Sequence, residues 1–283
     1  MFRRARDWFV TRGERFERWG TRLLRRPGLR TAWLVLGCVV AVPALGFGTV
    51  NVVSLLAHEE RTEVRTVDAD GVAVLDVHNG AGSVEVVGVE GADEVTVRAR
   101  ISEGLRATGH RVEVEGDRLE VRGSCPLVGG DWCEVDYTIE VPTRLRVEVS
   151  ARGSITVSDV EGGVVAEADQ SSVQVARVAG ELVLDSDQGR VEGRDLRATR
   201  VAASSDQGRI ELEFATSPRA VDVDADQGRI DIVLPDDPDV AYATELDADQ
   251  GTISDRIRQD PTSDRTIRAS SDQGNVTIAY ATT

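Results

Sequence analysis

The sequence predicts an all-β chain: a β-solenoid of tandem coils of 18–23 residues, preceded by one N-terminal transmembrane helix. Three observations carry this. The phrase Asp-Gln-Gly returns at 187–189, 206–208, 226–228, 249–251 and 272–274, with a degenerate copy at Asp169-Gln170-Ser171, so the Asp-to-Asp intervals are 18, 19, 20, 23 and 23 residues. A period of that size marks stacked supersecondary units, none of which can bury its apolar face alone. Between the phrases, apolar and polar residues alternate with the two-residue period of a half-buried strand. Ahead of all this, residues 31–57 contain no charge.

In chain order, residues 1–30 carry ten Arg and three acids, a net charge of +7, whereas everything beyond the apolar run nets −23. Phe2, Phe9, Phe16 and Leu23 recur every seven residues, which fits an amphipathic helix on the inner leaflet; Gly13 and Gly20 leave a disordered basic flank as the alternative. Residues 31–57 are long enough to span ~30 Å of hydrocarbon. The Arg excess on one flank orients the N-terminus to the cytoplasm and the C-terminal domain outside, as a single-pass protein of the cell membrane. A cleaved signal peptide is the competing reading, weakened by the long charged region and by the poor Leu55-Leu56-Ala57 site.

Residues 58–149 are expected to be an irregular β region with N-terminal coils. Val112-Glu113-Val114 and Leu119-Glu120-Val121 flank Glu115-Gly116-Asp117-Arg118 like a hairpin, and Pro142 ends a strand. Residues 150–283 are expected to be the regular solenoid. There Val221, Val223 and Ala225 face inward against Asp222, Asp224 and Asp226, and Ile230, Ile232 and Leu234 resume the inward face. The inward residue before each Asp is small (Ala168, Ser186, Ser205, Ala225, Ala248, Ser271), and the Gly after it is expected to supply a positive φ at a tight corner. A second, looser turn falls at 161–163, 179–181, 217–218, 235–238 and 260–261.

Cys125 and Cys133 enclose a seven-residue loop that an oxidising compartment would close as a disulfide. Metal binding by the pair is the alternative, but no His lies near and two thiols make an incomplete site.

The N-terminal anchor, Asn79-Gly80 with alternating valines, Tyr137-Thr138-Ile139-Glu140-Val141-Pro142 leading into Val147-Glu148-Val149-Ser150, and the repeated Asp-Gln-Gly units together resemble a bacterial candidate-adhesin family. That family is a domain of unknown function built of β-strand repeats, here in a membrane-anchored actinobacterial form. The absence of Lys beside 33 Arg fits a GC-rich genome of that kind. The resemblance covers about 70–283 and implies an exported β-repeat protein with no catalytic residues; relatives are associated with envelope-stress systems.

The repeat corner is the one candidate site: Asp187, Gln188, Gly189, Asp206, Gln207, Gly208, Asp226, Gln227, Gly228, Asp249, Gln250, Gly251, Asp272, Gln273 and Gly274. Stacked in register, these aspartates would stand ~4.8 Å apart. As a structural corner, Asp would accept backbone N–H bonds, Gln would form an amide ladder, and Arg190, Arg209 and Arg229 would neutralise the acids. Weak Ca²⁺ binding is the rival, through Asp222-x-Asp224-x-Asp226 or Glu245-x-Asp247-x-Asp249. It lacks the EF-hand signature, since Gln227 and Val233 occupy the positions that should be Gly and acid.

Catalytic, cofactor-binding and metal residues are therefore expected to be none. Polysaccharide cleavage by paired carboxylates is disfavoured, because Trp132, Tyr137, Phe214, Tyr242 and Tyr280 are too few aromatics for a sugar-stacking groove. A domain at −23 opposes nucleic acid. What remains is a non-enzymatic envelope module, adhesive or structural, contacting wall polymer or envelope proteins; the alternative is an envelope-stress sensor or modulator binding cationic ligands.

Overall fold

The computed structural model describes residues 59–103, 108–126 and 133–281, with Val39 and Ala41. Apart from those two residues, both helical, the predicted Arg-rich segment 1–30 and transmembrane helix 31–57 lie outside the described residues. No helix among the described residues is long and apolar enough to cross a membrane. Ala57–Thr283 is one compact unit.

That unit is all β. Its strands are β1 (Glu59–Asp68), β2 (Val74–Asn79), β3 (Val84–Val89), β4 (Glu94–Glu103), β5 (Gly109–Glu115), β6 (Arg118–Ser124), β7 (Glu134–Pro142), β8 (Arg146–Ala151), β9 (Ile155–Ser158) and β10 (Val164–Ala168). They continue as β11 (Val173–Ala176), β12 (Ala179–Ser186), β13 (Val191–Gln207), β14 (Ile210–Phe214), β15 (Ala220–Gln227), β16 (Ile230–Leu234), β17 (Ala243–Ala248), β18 (Ile253–Asp255), β19 (Thr266–Ser271) and β20 (Val276–Tyr280). Each solenoid coil places one strand in each of two sheets, and neighbouring coils pair in parallel, whereas β1–β4, β4–β7 and β5–β6 at the N-terminal end pair antiparallel. The first sheet runs β1, β4, β7, β3, β9, β11, the start of β13, β14, β16, β20, β18. The second runs β5, β6, β2, β8, β10, β12, the end of β13, β15, β19, β17.

The inward alternation read from sequence is the core. Val221, Val223 and Ala225 are buried beside exposed Asp222, Asp224 and Asp226, and Leu182, Leu184, Ile230, Ile232, Ile267 and Ala269 join one continuous apolar column. Burying such residues at ~25 cal/mol per Å² drives coil to stack on coil. The 115–118 hairpin forms as β5–β6 with Gly116 at φ 65°, and β7 ends at Pro142.

Three sequence expectations need correction. Coils do not stack in chain order: the last, β19–β20, inserts between β15–β16 and β17–β18, so the spatial order of the phrases is 187, 206, 226, 272, 249. The lengthening of the last two intervals to 23 residues supplies the extra chain needed to skip one ~4.8 Å layer and return. Residues 179–181 are not a loose turn; they open β12 with a bulge after Gly180, and the 17-residue β13 runs unbroken from one sheet into the other. Nor does the repeat Gly take a positive φ: the positive-φ glycines among the described residues are Gly71, Gly91, Gly116, Gly163 and Gly180.

Candidate functional site: the acidic repeat corner

Close backbone approach is what puts glycine in the repeat. A Cβ on Gly208 would land on the carbonyl oxygen of Gly189, one on Gly228 on that of Gly208, and one on Gly274 on that of Gly228. Coil backbones meet there with no room for a side chain. The small inward residue completes the joint. Ser186 Oγ donates to Ser171 O at 2.8 Å, Ser205 Oγ to Gly189 O at 3.2 Å and Ser271 Oγ to Gly228 O at 3.1 Å, although each serine is buried. These hydroxyls satisfy neighbouring-coil carbonyls that would otherwise be desolvated without a partner. The sequence marked them only as small; the signal available was that a hydroxyl alternates with Ala at a buried position.

The aspartates form a column. Backbone bonds Asp187 N→Ala168 O (3.2 Å), Gln207 N→Asp187 O (3.0 Å), Gln273 N→Asp226 O (2.9 Å) and Gln250 N→Asp272 O (3.0 Å) set Asp169, Asp187, Asp206, Asp226, Asp272 and Asp249 side by side down one edge. Asp187, Asp206, Asp226, Asp249 and Asp272 are exposed, as are Gln188, Gln207, Gln227, Gln250 and Gln273. Gly189, Gly208, Gly228 and Gly274 are half-buried beneath them, and Gly251 is exposed on the end coil. The corner is held by main-chain bonds and serine hydroxyls, not by carboxylate acceptors.

Arginine does not neutralise the column as expected. Arg209 Nη1, just ahead of β14, pairs at 2.9 Å with Glu211 two residues on, because residues two apart in extended chain share a face and the acids lie around the bend. In the adjoining outward row, Asp185, Ser204, Asp224, Ser270 and Asp247 alternate acid with hydroxyl. Burial first, then the negative charges of Asp226 and Asp272, holds the Asp224 carboxyl above its ordinary range. One step further, Arg268 Nε meets Glu245 at 3.0 Å. Among the described residues no three His, Cys, Asp or Glu side chains converge closely enough to hold a metal ion. The Asp222, Asp224 and Asp226 carboxylates project in parallel from one strand and do not enclose a centre.

The opposite corner is built differently. Asp159, Arg177 and Asp195 fall 18 residues apart and all take left-handed backbone, at φ 61°, 53° and 50°. Arg177 grips Asp159 with both nitrogens, Nε to Oδ1 at 2.6 Å and Nη2 to Oδ2 at 2.7 Å, and this pairing holds the Asp159 carboxyl below the usual carboxylate range. At the N-terminal end, Cys125 and Cys133 are disulfide-bonded with Cα atoms 5.8 Å apart, and Cys133 Sγ lies 3.6 Å from Thr108 Oγ1. Close by, buried Tyr137 donates to Arg122 O at 3.0 Å and meets His110 Nδ1 at 2.9 Å. Asn79, from the motif noted in sequence, is buried and donates to Val135 O at 2.7 Å.

The geometry defines a class: a two-sheet parallel β-solenoid with one acidic edge. Residues 145–283 match the Toastrack DUF4097 family. Similar solved structures include a candidate lipid-binding protein from Parabacteroides distasonis (12% identity, 78% of this chain and 97% of that one, TM-score 0.45). Others are candidate adhesins from Bacteroides fragilis (18%, 78% and 97%, TM-score 0.37) and Parabacteroides distasonis (12%, 77% and 97%, TM-score 0.42). Among curated proteins none matches the chain.

Proposed function

We propose that the chain is a non-enzymatic, single-pass membrane protein whose extracytoplasmic solenoid is an envelope interaction module that takes cationic partners, such as basic segments of envelope proteins or amine-bearing wall polymer, along its repeat corner. The observation that carries this reading is the column of exposed aspartates with no cation pairing them among the described residues. Like charges repeated down a rigid edge raise the local potential and attract a polycation at long range. An edge neutralised by its own arginines would not. The uncharged run 31–57 and the contrast between +7 before it and −23 after it support the anchor and its orientation. Parallel acids that do not converge on a centre suit a long polycation better than a resident metal, and Ca²⁺ would act there as a screening counter-ion.

The test is a titration of the full chain in detergent with fluorescent oligolysine. We expect saturable, salt-sensitive binding that Asp206→Asn combined with Asp226→Asn weakens roughly tenfold, as loss of two adjacent charges should. Binding that ignores the double substitution, or no binding at low salt, contradicts the reading. A site selective for Ca²⁺ would instead show a Ca²⁺-specific rise in melting temperature that Mg²⁺ does not reproduce.

A further inference from the structure

We propose that β1 is a docking edge for a second copy of this chain, which adds its own β1 antiparallel across a two-fold axis at Thr62. This reading is independent of what the acidic corner binds. Among the described strands, β1 ends the first sheet and pairs with β4 alone, from Glu59↔Glu103 to Asp68↔Glu94. Its side chains are exposed on both faces except Val67, and Val64 is 58% exposed. A long strand exposed on both faces at a sheet edge is a template for another strand.

The ladder itself says which groups point outward. Ala69 N donates to Asp93 O at 2.9 Å, continuing the β1–β4 register. Hydrogen-bonded and non-bonded positions alternate in an antiparallel pair, so the odd-numbered residues of β1 turn their main-chain groups toward β4. Thr62, Val64 and Thr66 therefore direct N–H and C=O away from the sheet.

Charge then selects the partner and the register. A two-fold axis perpendicular to the sheet pairs residues of the same face only, so it passes through a residue. Centred on Val64, it sets Glu63 against Arg65 twice over an overlap of 60–68, but it also opposes Glu60 to Asp68 twice, like charges that repel. Shifted to Glu63, it opposes Glu63 to itself and Arg61 to Arg65, like charges that repel. Centred on Thr62, it sets Thr62 against Thr62, Arg61 against Glu63 twice and Glu59 against Arg65 twice, with no like charges opposed over an overlap of 59–65. Within one copy, Arg61 Nε meets Glu63 at 3.2 Å and Arg61 Nη1 meets Glu103 at 3.4 Å, His110 Nε2 of β5 lies 3.9 Å from Glu63, and Arg65 Nη1 donates to Val112 O at 3.0 Å. A charged edge discourages foreign strands, while this alternation accepts its own copy.

The experiment measures the mass of the full chain in detergent by light scattering across the micromolar range, with thermal melting as a check on folding. Wild type should be a dimer. Val64→Pro removes an N–H that points away from β4, so it should leave the fold intact and yield monomer. Glu63→Arg and Arg61→Glu should each raise the dimer dissociation constant about tenfold, and the two together should restore it. A wild type that stays monomeric overturns the proposal. So does a dimer unmoved by Val64→Pro, or one that folded double-swap protein fails to restore.

Discussion

The two corners of the solenoid turn the same chain through similar bends with opposite chemistry. At the repeat corner, glycines stack backbone on backbone and like charges line up outside them. At the other, Asp159, Arg177 and Asp195 alternate in sign and accept left-handed backbone, which costs a non-glycine residue roughly 1–2 kcal/mol. Where coils touch through main chain, the sequence is forced and repeats; where side chains hold the bend, it is free to vary. The visible repeat thus records steric necessity on its inner side, and the aspartates riding on it are left available to the outside.

The sharpest break of this comparison is steric. Gly228→Ala should destabilise the domain by about 3 kcal/mol or more, read as a lowered denaturant midpoint, because two coils must separate to admit the methyl group. Gly116→Ala, in a hairpin with open space around it, should cost only about 1 kcal/mol, for its positive φ. Next comes the serine joint: Ser205→Ala should cost about 1 kcal/mol, since Ala fills the same inward place at Ala168 and Ala225 but cannot donate to Gly189 O.

The smallest effects are electrostatic and opposite in sign at the two corners. Asp159 has a depressed folded pKa, so its contribution is present above the unfolded value and disappears as pH falls through the folded one. Asp159→Asn should therefore lower the melting temperature at pH 7 and match wild type in strong acid. Asp224 has a raised folded pKa, so its ionised form opposes folding, and the cost is relieved as pH falls below that pKa. Asp224→Ser, copying Ser204 and Ser270, should stabilise at pH 7 by a few tenths of a kcal/mol after solvent screening and lose that advantage in acid.

Much of this was legible. Alternation located the buried faces of β12, β15, β16 and β19, and the hairpin at Gly116 followed from its flanking valines. What the sequence withheld were relations between distant segments. Local turn chemistry offered positive φ as the reason for the repeat Gly, whereas the reason is a carbonyl from another coil. Arg209 reads as a neighbour of Asp206 in sequence, yet the bend turns it to Glu211. The insertion of β19–β20 ahead of β17–β18 depends on pairing energies that no local pattern encodes; only the intervals of 23 residues hinted at it.

The measurement that bears most directly on the division of labour within the repeat is the thermal stability of a chain carrying Asp187→Asn, Asp206→Asn, Asp226→Asn and Asp272→Asn together. If glycine packing and main-chain bonds hold the corner while the aspartates face outward unpaired, this protein melts no lower than wild type at pH 7 and low salt, because a row of repelling charges has been removed without loss of a bond. A melting temperature lowered by several degrees would show that the carboxylates themselves hold the corner, and the account would be wrong.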